Sequence, residues 1–154
     1  MIKWLRNKSA KLPTSYEDVK AEYLRISRGW EGSDGKLLVG TSRTDDGGYH
    51  LEFAGDGKLS LVATERGNEM ARYETYSLEE LMYWIFKDQA FARATDYELA
   101  HRHPTNDARI IIFARQIELL AQLSGNWAKR CQSEQEKILQ EHPITAIPSE
   151  LRKT

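Results

Sequence analysis

Tyr49-His50-Leu51-Glu52-Phe53-Ala54-Gly55-Asp56-Gly57-Lys58-Leu59-Ser60-Leu61 is the stretch that decides the fold. Tyr49, Leu51 and Phe53 alternate with His50 and Glu52. Leu59 and Leu61 alternate with Lys58 and Ser60. Period two is the pattern of a strand with one buried face. Gly55-Asp56-Gly57 supplies the turn between the two runs. Strands joined this closely must run antiparallel. Downstream, Gly67-Asn68 marks a second turn and Met70–Tyr76 reads as a third strand. Upstream, Trp30–Gly48 reads as a loop with a short strand at Leu37–Val39.

Further out, the period changes. Nine of the ten glycines lie between Gly29 and Gly67. Glycine serves turns and is disfavoured inside helices, so the flanks should be helical. Before the sheet, a helix is predicted from Thr14 or Ser15, with Thr14 and Glu17 spaced as a capping box. Tyr16, Val19, Tyr23 and Ile26 form its apolar stripe, and Gly29 stops it. After the sheet, Ser77 with Glu79 and Glu80 is a helix start. Leu78, Leu81, Met82, Ile85, Phe86 and Phe91 follow, flanked by Tyr83 and Trp84, so this helix should be the central one. Asp96–His103 is its end or a short separate turn. Asn106 or Asp107 starts another helix, and Gly125-Asn126 breaks it. Asn126 then caps a last helix that ends before His142-Pro143. Strands in a run followed by helices in a run describe an α+β fold. The expectation is an N-terminal helix, a small antiparallel sheet of about three to four strands, and three to four C-terminal helices packed on it.

The chain has 154 residues and a mass of 17.8 kDa, which suits one domain over residues 1–154. Its 22 basic and 23 acidic residues give a formal charge of −1, which excludes a globally basic nucleic-acid binder. The charge is unevenly spread. Met1–Trp30 carries +4, Glu31–Ala100 carries −7 and His101–Thr154 carries +2. The acidic middle would attract a basic partner and speed association. A single cysteine, Cys131, excludes an internal disulfide and a multi-cysteine zinc site, and suits a reducing compartment. No apolar run is long enough for a signal-peptide core or a membrane span. A cytoplasmic protein that does not engage a membrane is the expectation.

No phosphate loop, no nucleophile elbow and no cofactor motif is present. Cys131 sits on a helical pattern with Trp127 and Ala128 and reads as a packed small hydrophobe. His101 and His103 are the best metal candidates, with Asp96, Asp107 or His142 to complete a site, at spacing unlike that of zinc sites. Trp30 opens the loop beside Glu31, where it is either a core anchor or an exposed contact of the kind that dominates interfaces.

Several segments in order carry a resemblance. They are Glu65-Arg66-Gly67, the run Tyr76–Phe86, Asp96-Tyr97-Glu98-Leu99 with Arg102, then Phe113 to Leu120, Trp127-Ala128 and His142-Pro143. Over about residues 49–143 the chain resembles the bacterial immunity protein 63 family, leaving 144–154 as a peripheral tail. The resemblance implies a non-enzymatic inhibitor from a polymorphic-toxin or contact-dependent growth inhibition system. It would hold the C-terminal domain of a toxin, often a nuclease, one-to-one, without cofactor and without contacting nucleic acid, and would be a monomer when free. Of the signature residues, Tyr83, Trp84 and Trp127 would be structural. Glu65, Arg66, Asp96, Glu98 and Arg102 would form an ion-pair network. The toxin-facing candidates are then the loop residues Trp30, Glu31, Asp34, Asp45, Asp46 and Asp56. The alternatives are a metal-dependent enzyme using His101 and His103, or an adaptor domain for some other protein.

Overall fold

The computed structural model describes residues 14–104 and 106–144. The readings of Met1–Pro13 and of the tail beyond Ile144 fall outside the described residues. The elements are α1 (Tyr16–Ser27), β1 (Asp46–Phe53), β2 (Leu59–Glu65), β3 (Asn68–Thr75), α2 (Leu78–Ala100), α3 (Ala108–Ala121) and α4 (Gly125–Glu141). The α+β class, the leading helix and the three-stranded antiparallel sheet stand as predicted. The described chain falls into two compact units. One holds α1, the residues from Asp34 through the sheet, and the first turn of α2. The other holds Gly29–Ser33, the rest of α2, α3 and α4.

In the first unit, α1 is capped by Ser15, not Thr14. The Ser15 hydroxyl accepts from the Asp18 amide at 3.2 Å, and the Asp18 carboxylate accepts from the Ser15 amide at 2.9 Å. Thr14–Glu17 and Ser15–Asp18 have the same spacing, so spacing cannot choose between them. Val19 and Tyr23 on α1 are fully buried. Tyr16 meets Phe53 edge-on at 6.5 Å and donates its hydroxyl to the Val39 carbonyl at 3.0 Å.

The sheet order is β1-β2-β3. Leu61 stands between Leu51 and Tyr73, and Val62 between His50 and Arg72. One buried face was expected, but β2 is buried on both. Ser60, Val62 and Thr64 are as enclosed as Leu59 and Leu61. Long polar side chains explain this, because their stems cover apolar surface while their heads pair above it. His50 bonds Glu52 at 2.8 Å, and Arg72 bonds both Glu52 at 3.0 Å and Glu69 at 2.6 Å. The predicted strand at Leu37–Val39 is absent. Only a single parallel bridge forms there, Gly40 with His50, where the Leu51 amide donates to the Gly40 carbonyl at 2.8 Å. Ala63 pairs with Ala71 and Thr64 with Glu69, so Met70 is an extra, bulged residue in β3.

In the second unit, α2 runs unbroken through Asp96 to Ala100, so no separate turn forms there. Asp107 caps α3, its carboxylate accepting from the Arg109 amide at 2.9 Å. Ser124, not Asn126, caps α4. A cap oxygen must reach an amide two or three residues on, and Ser124 accepts from Trp127 at 3.2 Å. Gly125 and Asn126 are thereby the first turn of α4. An aromatic column fills the interior: Trp30 meets Phe86 edge-on at 5.4 Å, and Phe86 stacks on Trp127 at 5.7 Å.

Cys131 is 1% exposed on α4, and burial pushes its thiol up to about 11. At pH 8 a thiol reagent should therefore modify the folded chain at least about 100-fold more slowly than the denatured chain, since the thiolate is the reactive form. Below the unfolded value of about 8.5 the thiol's contribution to stability is fully present, and it is lost as pH rises toward 11. Equal labelling rates in the two states would refute the packed assignment.

Candidate partner-binding surface

The sheet turns place three of the predicted contact residues. Asp45 has a left-handed backbone, φ 54°, a conformation aspartate tolerates better than most residues. Its amide donates to the Thr64 hydroxyl at 3.1 Å and its carbonyl accepts from the Arg66 amide at 3.1 Å. Its carboxylate accepts from Arg43 at 2.8 Å and from the Gly67 amide at 3.2 Å. The lead into β1 is thus fastened to the β2–β3 turn. Asp46 accepts from the Gly48 amide at 2.9 Å and stands opposite Glu65. Asp45, Asp46 and Glu65 therefore gather at one end of the sheet. Asp56 lies at the other end, in the β1–β2 turn, accepting from the Tyr76 hydroxyl at 2.8 Å and the Lys58 amide at 3.1 Å.

All three aspartates are exposed. Each carboxyl is held below its ordinary range. The leading cause is Arg43 for Asp45, the Thr44 side chain for Asp46 and the Tyr76 hydroxyl for Asp56. All three are therefore charged near neutral pH, and each also braces a turn. Asp34, in the same unit, is half-buried and has partners of its own.

Two of the predicted contact residues lie in the other unit. Trp30 is only 6% exposed and donates its indole N–H to the Leu119 carbonyl at 2.9 Å. It cannot offer a contact surface, and the core-anchor reading replaces the interface one. Glu31 is exposed, bonds Gln122 at 2.8 Å and pairs with Arg115. Those bonds, Gln122 first, lower its pKa.

Of the signature residues, Tyr83, Trp84, Glu98 and Trp127 are buried or half-buried, whereas Glu65, Arg66, Asp96 and Arg102 are exposed. Tyr83 is fully buried and donates its hydroxyl to Glu134 at 2.8 Å, and Lys87 reaches the same carboxylate at 2.8 Å. Burial alone would raise the Glu134 pKa, but the bonds from Lys87 and Tyr83 outweigh it and lower it. Trp84 is half-buried, and Trp127 packs on Phe86 and Tyr83. The expected ion-pair network does not form. Glu98, 2% exposed, takes Arg102 at 3.0 Å, and Asp96 takes Arg93 at 3.4 Å, each within one turn of α2. Glu65 and Arg66 sit in the β2–β3 turn and make no ion pair among the described residues.

The metal alternative loses its ligand set. Among the described residues no three His, Cys, Asp or Glu side chains come together. His101 lies flat on the Tyr97 ring at 4.0 Å, with Nδ1 2.8 Å from the Tyr97 carbonyl. No described helix is long and apolar enough to cross a membrane.

Sequence reasoning missed two exposed groups. One is Tyr97, 38% exposed, with His101 stacked on it and the Arg115 guanidinium 4.7 Å from its ring centre. The other comprises Met70 and Tyr73 of β3 and Tyr76 just beyond it, 62%, 45% and 67% exposed. The signal for the second is in the sequence, since Met70–Tyr76 places apolar and charged residues without a clean apolar face.

One unit holds a packed aromatic core, and the other carries exposed, ionised aspartates in and beside its turns. The model of the Immunity protein 63 family matches residues 55–137, a little over half of the chain, and the chain belongs to that family. Membership makes toxin neutralisation its family function. The match spans β2, β3, α2, α3 and most of α4, and leaves out α1 and β1. Neither the curated proteins nor the solved structures give a match.

Proposed function

We propose that this chain is a cytoplasmic bacterial immunity protein that neutralises a cognate toxin by binding its C-terminal domain one-to-one. The observation that carries the reading is the match to the family over residues 55–137; within that span Tyr83 and Glu98 are buried and Trp127 packs on Phe86. Residues that hold a shared scaffold together leave the exterior free to vary with the toxin. The exposed acids Asp45, Asp46 and Asp56 of the sheet unit are the proposed contact residues, with Asp34 of the same unit and Glu31 of the helical unit as separate candidates.

The proposed toxin is a nuclease of a polymorphic-toxin or contact-dependent inhibition system. A nuclease site must hold phosphates and is basic, so an acidic surface steers toward it and takes the place of substrate charge. No step of this action needs catalysis or a cofactor. A complex of standard size would bury about 1,600 Å² in total.

Growth under induction of the toxin domain encoded by the adjacent upstream reading frame, with and without this chain, tests the reading. Rescue of growth together with one-to-one co-purification is the expected result. Binding without rescue would make the chain an adaptor. Arrest with neither rescue nor binding would reject the pairing.

A further inference from the structure

We propose that Asp56-Gly57 is a site of spontaneous backbone isomerisation to isoaspartate, and that the Tyr76 hydroxyl is the guard that holds the reaction back. The inference stands independently of the toxin-binding reading.

Aspartate followed by glycine is prone to this reaction, because glycine has no Cβ to keep its amide nitrogen away from the preceding carboxyl. The chain holds the pair at Asp34-Gly35, Asp46-Gly47 and Asp56-Gly57. At residue 57 the glycine cannot be exchanged for a safer neighbour. Its φ is 93°, in the left-handed region that residues with a Cβ rarely adopt. The β1–β2 turn therefore imposes the weak pair, at an exposed aspartate.

The reaction needs only water. The Gly57 amide nitrogen attacks the Asp56 carboxyl carbon, Cγ. An N–Cγ bond forms as one Cγ–O bond breaks, and that oxygen leaves as water with the amide proton and a carboxyl proton. The cyclic imide then takes up one water. Opening at Cγ restores aspartate. Opening at the former main-chain carbonyl leaves the chain running through Cβ and Cγ, one backbone atom longer. In a hairpin the turn fixes the register, so the added atom falls where β1 and β2 are aligned.

Three bonds oppose the attack. The Gly57 amide donates to the Ala54 carbonyl at 3.1 Å, so the attacking group is engaged. Asp56 Oδ1 accepts from the Lys58 amide at 3.1 Å, and Oδ2 from the Tyr76 hydroxyl at 2.8 Å. With both oxygens held, the carboxyl cannot swing toward the Gly57 nitrogen without losing a partner. The Tyr76 bond is also the leading cause that keeps this carboxyl below its ordinary range. The ionised form is the poorer electrophile, since the departing oxygen must leave as water. The first two bonds are local to the turn, whereas Tyr76 reaches in from beyond β3. Asp46 serves as a reference inside the same molecule. Its carboxylate takes the equivalent local bond, from the Gly48 amide at 2.9 Å, and its leading partner is the nearby Thr44 side chain.

Isoaspartate accumulating in the full chain during storage in warm, neutral buffer tests this. It is read at each site by isoaspartyl methyltransferase labelling, after chymotryptic cleavage at Phe53 separates Asp46 from Asp56. Tyr76→Phe keeps the ring and removes only the hydroxyl. In that variant the rate at Asp56 should rise about fivefold, the change that one ordinary hydrogen bond makes, with the rate at Asp46 unaltered. In the unaltered chain, unfolding in urea should speed the reaction at Asp56 by about fivefold or more, a comparison that needs no variant to fold. An unchanged rate at Asp56 in either comparison overturns the inference, as does the absence of isoaspartate there in both chains. A slower rate in Tyr76→Phe would make the hydroxyl an acid that assists the departing water, the opposite of a guard. Equal rises at Asp46 and Asp56 in that variant would report general loosening and also overturn it.

Discussion

Trp30→Ala is expected to lower the unfolding free energy by about 3–5 kcal/mol, the range for removing a large buried aromatic. Domains of this size are stable by about 5–15 kcal/mol, so much of the total is at stake. Two contributions meet in this side chain. The ring packs edge-on against Phe86 at 5.4 Å. The indole N–H also satisfies the Leu119 carbonyl at 2.9 Å, in the last turn of α3. Helix C-termini leave their final carbonyls without intrahelical donors. Here the amide that would reach Leu119, that of Leu123, goes to Leu120 instead. Trp30 therefore acts as a side-chain cap for α3. Trp30→Phe separates the contributions, because it keeps an aromatic ring and leaves the carbonyl bare, for about 1–3 kcal/mol. Gly32 belongs to the same argument, since a Cβ there would stand 2.7 Å from the Trp30 ring. Urea titration measures all of this, and a loss below about 1 kcal/mol for Trp30→Ala would refute the anchor.

Joint substitution Asp45→Asn, Asp46→Asn and Asp56→Asn should slow association with the proposed toxin about tenfold at low salt, with the fold retained. Steering by a charged surface changes on-rates by about 10–10³-fold, and salt suppresses it. The choice of asparagine matters. Charge reversal would also break the turns, because each carboxylate accepts a backbone amide: Gly67, Gly48 and Lys58 respectively. Asparagine keeps an acceptor oxygen in the same place and tolerates the left-handed backbone of residue 45. The Arg43–Asp45 pair is exposed, so its loss should hardly affect stability. The dependence of the association rate on ionic strength should become shallower. Unchanged rates at every salt concentration would exclude this rim from the interface.

The order and type of elements could be read from the sequence because each carries its own period. Tyr49–Leu61 alternates, Leu78–Phe91 does not, and Gly55-Asp56-Gly57 lies where the hairpin needs it. Cap choices were harder. Ser15 competes with Thr14, and Ser124 with Asn126, through neighbours of the same chemistry one or two positions away. The enclosure of Val62 was not readable at all, because it depends on Arg72 folding across from a strand ten residues on. The contact candidates show the same limit. A tryptophan beside a glutamate in a glycine-rich loop has the composition of an interface. Only the position of Leu119 and Phe86, far along the chain, makes Trp30 interior. The aspartates were recognisable as exposed charge, but their second task in bracing turns needed Arg43, Gly67 and Tyr76 in place.

The short segment Gly29–Ser33 is chain-remote from its anchors. Trp30 waits for Leu119, 89 residues later, Glu31 for Arg115 and Gln122, and the Gly32 carbonyl for Gln89. On a ribosome adding about 5–20 residues per second, that separation lasts about 5–20 seconds. Throughout that interval the nascent chain displays an indole with nowhere to go. The helical unit can close only after the C-terminal part of α3 has left the exit tunnel. Anything that stalls translation before Leu119 yields a fragment with an unburied tryptophan, a ready target for chaperones and proteases.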